Sequence, residues 1–161
     1  MDTQGEAIAR RGIHLDSGRD IDIMNSVKVA DAMTNNPITV NKDLYAHALA
    51  DLFIQTNNHG FPVVDHNNNL TGVVSLTDYR RALQDNEGVA EDLTVDEIAS
   101  HTLVSVYPDE TVKVALERMG PRDLSRLPVV SRKNPRKLLG LIRRNDIVEA
   151  YRLGTIHRSN Q

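Results

Sequence analysis

Two stretches of the chain contain residues whose types and spacing suit nucleotide binding. In GVVSLTDYRRAL (72–83) and in GLIRRNDIVEAY (140–151), an aspartate follows a glycine by six residues and lies at the start of a predicted helix. The first N–H groups of a helix are unpaired and its dipole favours an anion, so such a corner can bind phosphate. Ser75 and Thr77 would add hydroxyl donors there. Asp78 only accepts hydrogen bonds when ionised, so it suits a ribose diol, which offers two donors.

Helix capping is the competing interpretation of either corner alone, because Ser, Thr and Asp are favoured residues at helix N-termini. The second corner carries Arg143 and Asn145 where the first has Ser75 and Thr77. Its aspartate, Asp146, keeps the same distance from a preceding glycine. The repeated spacing favours a ligand over a cap.

The whole chain is a duplication, and the two corners are equivalent parts of it. VADAMTNNPITV (29–40) aligns with VDEIASHTLVSV (95–106) at an offset of 66, and GFPVV (60–64) aligns with RLPVV (126–130) at the same offset. Beyond that point the offset is 68, because two residues are inserted in SRKNPRK (131–137). A turn-rich loop tolerates such an insertion. We therefore expect each copy to contain the same elements.

The apolar periodicity predicts a strand, a helix, two strands and a second helix in each copy. The first helix is indicated by residues at helical spacing: Tyr45, Ala48, Leu49, Leu52 and Phe53 in one copy, and Val112, Ala115, Leu116 and Met119 in the other. Pro108 with Asp109 and Glu110 predicts the start of the later one. FPVV, LTGVV, LPVV and LLGLI predict strands. Helices are predicted over residues 77–83 and 145–153, with short lead-in helices near 30–33 and 96–99.

This pattern gives an α+β fold of two repeats. A copy of about 60 residues buries too little surface to be stable alone, so we expect the two copies to pack face to face about a pseudo-twofold axis. The predicted organisation is an N-terminal arm (1–26), repeat 1 (27–84), a linker (85–94), repeat 2 (95–152) and a C-terminal tail (153–161).

Composition excludes several classes of function. The 161 residues include no cysteine, which rules out disulfides and thiolate chemistry, and the net charge of −3 argues against a nucleic-acid binder. No apolar run reaches the roughly 20 residues of a membrane helix, and no signal peptide is evident. We expect a soluble, cytoplasmic protein. The histidines show no metal-ligand spacing and no catalytic arrangement emerges, so neither a metal site nor an enzyme is expected.

The order V.DAM…ITV, amphipathic helix, GFPVVD and L.GVVSLTD resembles a CBS domain, and the second copy resembles another. Residues 27–152 are therefore similar to a CBS pair, or Bateman module. The resemblance implies a regulatory module without catalysis of its own. It also implies an adenine nucleotide (ATP, ADP or AMP) as a regulatory ligand, bound in clefts between the copies.

The resemblance also implies which residues form the two clefts. One cleft would combine the first corner with the other copy: Ser75, Thr77, Asp78, Leu103, Val104, Ser105, Ser125, Arg126 and Leu127. The second would combine the second corner with the first copy: Asn36, Pro37, Ile38, Asn58, His59, Gly60, Phe61, Arg143, Asn145 and Asp146. Two alternatives stay open. Arg126 either meets phosphates or is a solvated loop residue, and Arg143 either replaces the hydroxyls by its charge or blocks its cleft.

A finer resemblance covers RRGIHLDSGRDIDIMNSVKVADAMT (10–34), which is similar to the segment after the last membrane helix of prokaryotic CLC-type chloride channels and transporters. It implies a cytoplasmic tail whose partner is the membrane domain. The alternatives are a free-standing CBS protein that regulates an enzyme or energy response, and a structural dimerisation module with empty clefts. Apolar residues on the helices after the two corners predict a homodimer.

Overall fold

A computed structural model describes residues 23–87, 92–122 and 124–159 of the chain. Residues 23–26 are helical, and the elements that follow are α1 (Val29–Ala32), β1 (Thr34–Asn35), β2 (Val40–Asn41), α2 (His47–Thr56), β3 (Gly60–Val64), β4 (Leu70–Ser75), α3 (Leu76–Asp85), α4 (Val95–Ile98), α5 (Val112–Met119), a 3₁₀ turn (Gly120–Arg122), β5 (Arg126–Val130), β6 (Leu138–Arg143) and α6 (Arg144–Ser159). This is the α+β fold that the sequence predicts.

The chain forms two compact units, and neither coincides with one sequence repeat. The repeat-1 unit contains residues 36–103 and 131–138. The repeat-2 unit contains the described parts of the chain up to residue 35, of 104–130 and of 139–161. Each unit therefore joins most of one repeat to the lead-in helix of the other repeat, α4 in the first case and α1 in the second.

The repeat-1 unit is built on a sheet of order β2-β3-β4. The short β2 runs parallel to β3, and β3 pairs antiparallel with β4, so that Gly60 lies opposite Ser75. The aromatic rings of Phe53 and Phe61 stack over this sheet with centroids 5.4 Å apart. Val95 of α4 is fully buried in the same core, so this lead-in helix is an integral part of the unit.

The repeat-2 unit has a three-stranded sheet of order β1-β6-β5, in which β5 and β6 correspond to β3 and β4 of the repeat-1 unit. Its core includes Val29 of α1, Val112 of α5 and Leu127 of β5, all nearly inaccessible to solvent. The antiparallel pairing of β1 with β6, which places Thr34 opposite Leu141, was not predicted from the sequence. The same contact occurs in the repeat-1 unit as a bridge between Val73 and Ser100.

The predicted strands and helices are confirmed, with three corrections. The first strand of the second copy is reduced to a single parallel bridge between Val106 and Val129. Helix α5 begins at Val112 rather than at Pro108, because the Thr111 side chain accepts the Val114 N–H as the N-cap. Tyr45 does not belong to the buried stripe of α2. It precedes that helix and is 55% exposed, and the buried position is taken by Ala46.

No helix among the described residues has both the length and the apolar character needed to cross a membrane.

Candidate functional site

The first candidate corner lies where β4 passes into α3, and its aspartate is part of a helix cap. Ser75 is the N-cap residue, and its hydroxyl accepts the Asp78 N–H at 3.1 Å. In return, the Asp78 carboxylate accepts the backbone N–H of Ser75 at 2.8 Å and its hydroxyl at 2.9 Å, both on Oδ2. This reciprocal arrangement is a capping box. The capping interpretation of this corner is therefore confirmed in its geometry.

The cap changes what the corner can offer to a ligand. The Ser75 hydroxyl donates to Asp78, so the donor expected to reach phosphate is already used. The N–H of Leu76 donates to the His59 carbonyl at 2.8 Å, which further reduces the free donors at the helix start. What remains is the exposed Thr77 side chain and the Oδ1 oxygen of Asp78, which lies 3.6 Å from the Arg81 guanidinium.

The second corner has the same backbone with a different partner for the aspartate. The Arg143 N–H donates to Oδ2 of Asp146 at 2.8 Å. The Arg143 guanidinium folds onto the same carboxylate, with Nε and one terminal nitrogen each 3.4 Å from an oxygen. Arg143 thus lies against the carboxylate that was expected to bind ribose.

A backbone contact that sequence reasoning missed fixes both corners. In the repeat-1 unit the first helical N–H, of Leu76, donates to the carbonyl of His59, just before β3. In the repeat-2 unit the N–H of Arg144 donates to the carbonyl of Ser125, just before β5, at 2.9 Å. These residues are equivalent in the two repeats. Each helix start is therefore held against the beginning of the neighbouring strand.

The glycine of each glycine-to-aspartate spacing has a packing role. A Cβ on Gly72 would lie 2.7 Å from the Ser100 carbonyl oxygen, and one on Gly140 would lie 2.8 Å from the Thr34 carbonyl oxygen. Both distances are shorter than any normal contact. The glycines let the lead-in segment of the other repeat approach the sheet, so the spacing combines a packing requirement with a capping one.

The remaining predicted site residues are divided between the units. Asp78 and Leu103 belong to the repeat-1 unit, whereas their expected partners Val104, Ser105 and 125–127 belong to the repeat-2 unit. Likewise Arg143, Asn145 and Asp146 belong to the repeat-2 unit, whereas 36–38 and 58–61 belong to the repeat-1 unit. The two clefts therefore stay predictions.

Burial shows which of these residues can offer a side chain. The side chains of Phe61 and Leu127 are fully buried in their cores, so only their backbone atoms are available to a ligand. Asn36, Ile38, His59, Ser125 and Asn145 are exposed.

A partly buried ion pair next to the predicted residue Ser105, in which the Arg118 side chain is 37% and the Glu110 side chain 13% exposed, was not predicted from the sequence. Arg118 donates to both carboxylate oxygens of Glu110 at 2.6 Å, and also to the Ser105 carbonyl at 3.0 Å. Glu110 was expected only to complement a helix dipole. Glu110 and Arg118 are eight positions apart, whereas side chains that are neighbours on a helix are three or four positions apart. The sequence therefore gave no local signal for this contact.

In the part of the chain that the structure describes, no group of three or more histidine and carboxylate side chains could hold a metal ion.

Comparison with known proteins decides the family. The sequence model of the CBS domain matches residues 29–85 and again residues 95–153. The chain belongs to the CBS domain family. With two copies it is a CBS pair.

Two solved structures show what similar CBS pairs bind. The CBS domain pair of protein MJ0100, in complex with 5′-methylthioadenosine and S-adenosyl-L-methionine, is 26% identical with a TM-score of 0.69, and the alignment covers 78% of this chain and 95% of that one. CBSX2 in complex with AMP is 25% identical with a TM-score of 0.68, over 80% of this chain and 98% of that one. All three ligands are adenine derivatives.

A relative with a different context is chloride channel protein CLC-f of Arabidopsis thaliana. It is 29% identical over 143 residues, which cover 78% of this chain and 18% of the relative. Other matching relatives carry the names of enzymes, such as an inosine-5′-monophosphate dehydrogenase of Halobacterium salinarum. This chain spans less than half the length of each of these curated relatives.

Proposed function

We propose that this CBS pair is a regulatory module that binds an adenine nucleotide (ATP, ADP or AMP) and has no catalytic activity of its own. The observation that carries the proposal is the pair of repeated carboxylates, Asp78 and Asp146, each with a side chain 15% exposed at the start of a helix. In each carboxylate, Oδ2 accepts the backbone N–H of the N-cap residue, whereas Oδ1 makes only longer contacts. A ribose diol can donate to such an oxygen.

The binding residues of this proposal are those of the two predicted clefts. At the Asp78 corner, the phosphate role passes from Ser75 to the exposed Thr77, because the Ser75 hydroxyl is engaged by the cap. At the Asp146 corner, Arg143 supplies positive charge and would have to leave Asp146 for the ribose to bind. The complexes of CBSX2 with AMP and of MJ0100 with adenosyl ligands support the ligand class.

As the larger context, we propose the cytoplasmic module of a CLC-type chloride channel or transporter. The resemblance of residues 10–34 to channel tails and the similarity to CLC-f support it. Most of that stretch lies outside the described residues. Binding would act by favouring one of two arrangements of a homodimer against the membrane domain, which requires different affinity for the two.

A free-standing CBS protein that regulates an enzyme or energy response is the second candidate. The observation in its favour is that several matching relatives carry the names of enzymes, such as the inosine-5′-monophosphate dehydrogenase of Halobacterium salinarum. A structural dimerisation module with empty clefts is the third, favoured by the complete capping box at Ser75 and Asp78. The full-length gene distinguishes the first two, because membrane helices ending just before Ala9 would establish the channel context.

Calorimetry and thermal shift with ATP, ADP, AMP and S-adenosylmethionine test the ligand. We expect binding of micromolar to millimolar strength, and a stabilisation of about 2.7 kcal/mol when the free ligand reaches roughly 100 times its Kd. Neither heat nor a thermal shift at millimolar concentrations would leave the structural module as the function.

A further inference from the structure

A pocket of about 300 Å³ lies in the repeat-1 unit, away from both corners. The turn before β2 contributes Asn36 and Thr39, the β3–β4 hairpin contributes Val64 and Asn68, and the end of the 131–137 loop contributes Lys137. Its volume is at the lower end of the range for small-molecule sites. Neither aspartate lines it, and with the predicted Asp146 cleft it shares only residues 36 and 37.

Backbone hydrogen bonds fix the walls of this pocket. The Leu70 N–H donates to the Arg136 carbonyl at 2.7 Å, which attaches the 131–137 loop to the hairpin. The loop is closed on itself by the Lys137 N–H, which donates to the Asn134 carbonyl at 2.9 Å. Asn36 and Asn68 have φ values of 48° and 63°, a left-handed conformation that asparagine tolerates better than most residues. The backbone around the pocket is therefore fixed, whereas the polar side chains that line it are exposed.

The polar side chains of the lining can all donate hydrogen bonds. They are the ammonium group of Lys137, the amides of Asn36 and Asn68, and the hydroxyl of Thr39, and no carboxylate is among the lining residues. The SRKNPRK loop adds three further basic residues and no acidic one. The hairpin's own acid, Asp65, accepts the N–H groups of Asn67 and Asn69 at 2.9 Å each, and these bonds lower its pKa. Asp65 therefore stays ionised, but it is not among the lining residues of the pocket.

We infer that this pocket binds the phosphate group of a small phosphomonoester, at a site that overlaps the proposed nucleotide clefts only at residues 36 and 37. Four donor side chains match the three terminal oxygens of a phosphomonoester better than the two oxygens of a carboxylate. Val64 and the neighbouring apolar side chains suit a short carbon skeleton. A bound metabolite here would stiffen the junction of the hairpin with the 131–137 loop.

The test is an NMR titration of the ¹⁵N-labelled chain with glycerol 3-phosphate, with acetate and sodium chloride at matched ionic strength as controls. We expect saturable shifts confined to the amides of Asn36, Thr39, Asn68 and Lys137. Lys137→Gln should weaken binding roughly tenfold, since a hydrogen bond to a charged group is lost. Lys133→Gln makes the same charge change in the same exposed loop but outside the lining, and should leave the affinity unchanged.

Three results would overturn the inference. Shifts that do not saturate, or that acetate reproduces, would show a general ionic effect. An equal loss of affinity in the two lysine variants would show a diffuse attraction to the loop. Loss of the phosphate response in the Asp78→Ala/Asp146→Ala variant would place the phosphate in the nucleotide clefts, whereas retained phosphate binding in a variant that binds no nucleotide keeps the two proposals distinct.

Discussion

The Asp78 and Asp146 corners share one backbone and differ in the side chain that holds the aspartate. In both, the carboxylate accepts the N–H three residues earlier at 2.8 Å, and the first helical N–H donates to the carbonyl just before a strand. At the first corner the additional partner is the neutral Ser75 hydroxyl at 2.9 Å. At the second it is the Arg143 guanidinium at 3.4 Å.

This difference separates what the two carboxylates can do for a ligand. Asp146 is in contact with the guanidinium of Arg143, which is itself 44% exposed, so a ribose diol there must compete with a cation 3.4 Å away. Asp78 faces only the exposed Arg81 at 3.6 Å, a surface pair that contributes little. A helix cap and a ligand site can therefore use the same aspartate. The identity of the N-cap residue decides how much of the carboxylate's hydrogen-bond acceptor capacity remains for a ligand.

The largest effect is expected when both aspartates are removed. Asp78→Ala/Asp146→Ala should bind no adenine nucleotide by calorimetry, because both ribose acceptors are lost. The variant should still fold, since a lost cap costs about 1 kcal/mol. Glu97→Ala is the matched control, because it breaks the capping box of Thr94 and Glu97 in α4 and should leave nucleotide binding intact. A folded double variant that binds ATP like the parent would show that both aspartates serve only as helix caps.

The single variants sharpen the comparison. Loss of a hydrogen bond to a charged group costs about 1.5–3 kcal/mol, which corresponds to roughly 10- to 150-fold in affinity. We expect Asp78→Ala to weaken binding at least as much as Asp146→Ala, because Asp146 is engaged by Arg143. Calorimetry on the two variants decides this. A larger loss from Asp146→Ala would instead show that the Asp146 cleft dominates nucleotide binding.

Substitution of the two glycines tests whether the lead-in segments pack equally tightly against the two sheets. Gly72→Ala and Gly140→Ala should each lower the free energy of unfolding by about 1–3 kcal/mol, because the added methyl group would overlap a carbonyl oxygen of the lead-in segment. Denaturant unfolding measures both. Gly120→Ala is the control, since a Cβ there meets nothing within 4 Å. An unchanged midpoint in either variant would show that its lead-in segment can move away.

The smallest effect concerns His101, for which the repeat-2 unit has Asn35 at the equivalent position. Its ring nitrogens lie 3.2 and 2.8 Å from the carbonyl oxygens of Thr71 and Asp96, and these two acceptors raise the pKa of the imidazole, the Asp96 carbonyl most. Only the protonated ring donates to both. Because the folded pKa lies above the ordinary value of about 6.5, the stabilisation is complete below that pH and is lost as the pH rises through the folded pKa.

Unfolding midpoints of the parent and of His101→Gln between pH 5 and 8.5 measure this difference. The parent should lose a small part of its stability across the range relative to the variant, since the side chain is half exposed. Parallel pH profiles would show that His101 does not contribute to the pH dependence of stability.

Local patterns in the sequence were sufficient for the elements and for the repeat, because burial of one face imposes a period on apolar residues. The paired FPVV and LPVV strands and the helices after each corner occur where they were predicted, to within a few residues. The family was also evident from these motifs. Local patterns could not predict the hydrogen-bond or ion-pair partner of each polar group.

The misassigned residues show the physical reason. Ser75 was expected to donate to phosphate, but its hydroxyl can satisfy Asp78 three residues away. Glu110 was assigned to a helix dipole, but the fold brings Arg118 to it. A short lead-in helix such as α4 has one buried valine and no periodic stripe, so its sequence does not reveal which repeat it packs against.

Because each lead-in helix packs in the unit of the other repeat, the N-terminal and C-terminal halves of the chain each carry part of the other half's core. A cut between Asn86 and Asp92 would leave an N-terminal fragment that carries α1, which belongs to the core of the repeat-2 unit, and a C-terminal fragment that carries α4, which belongs to the core of the repeat-1 unit. Neither fragment could complete a hydrophobic core alone, whereas the two mixed together could complete both. We therefore expect the two fragments to stay associated after a cut in the linker, and neither half of the chain to fold when it is expressed alone.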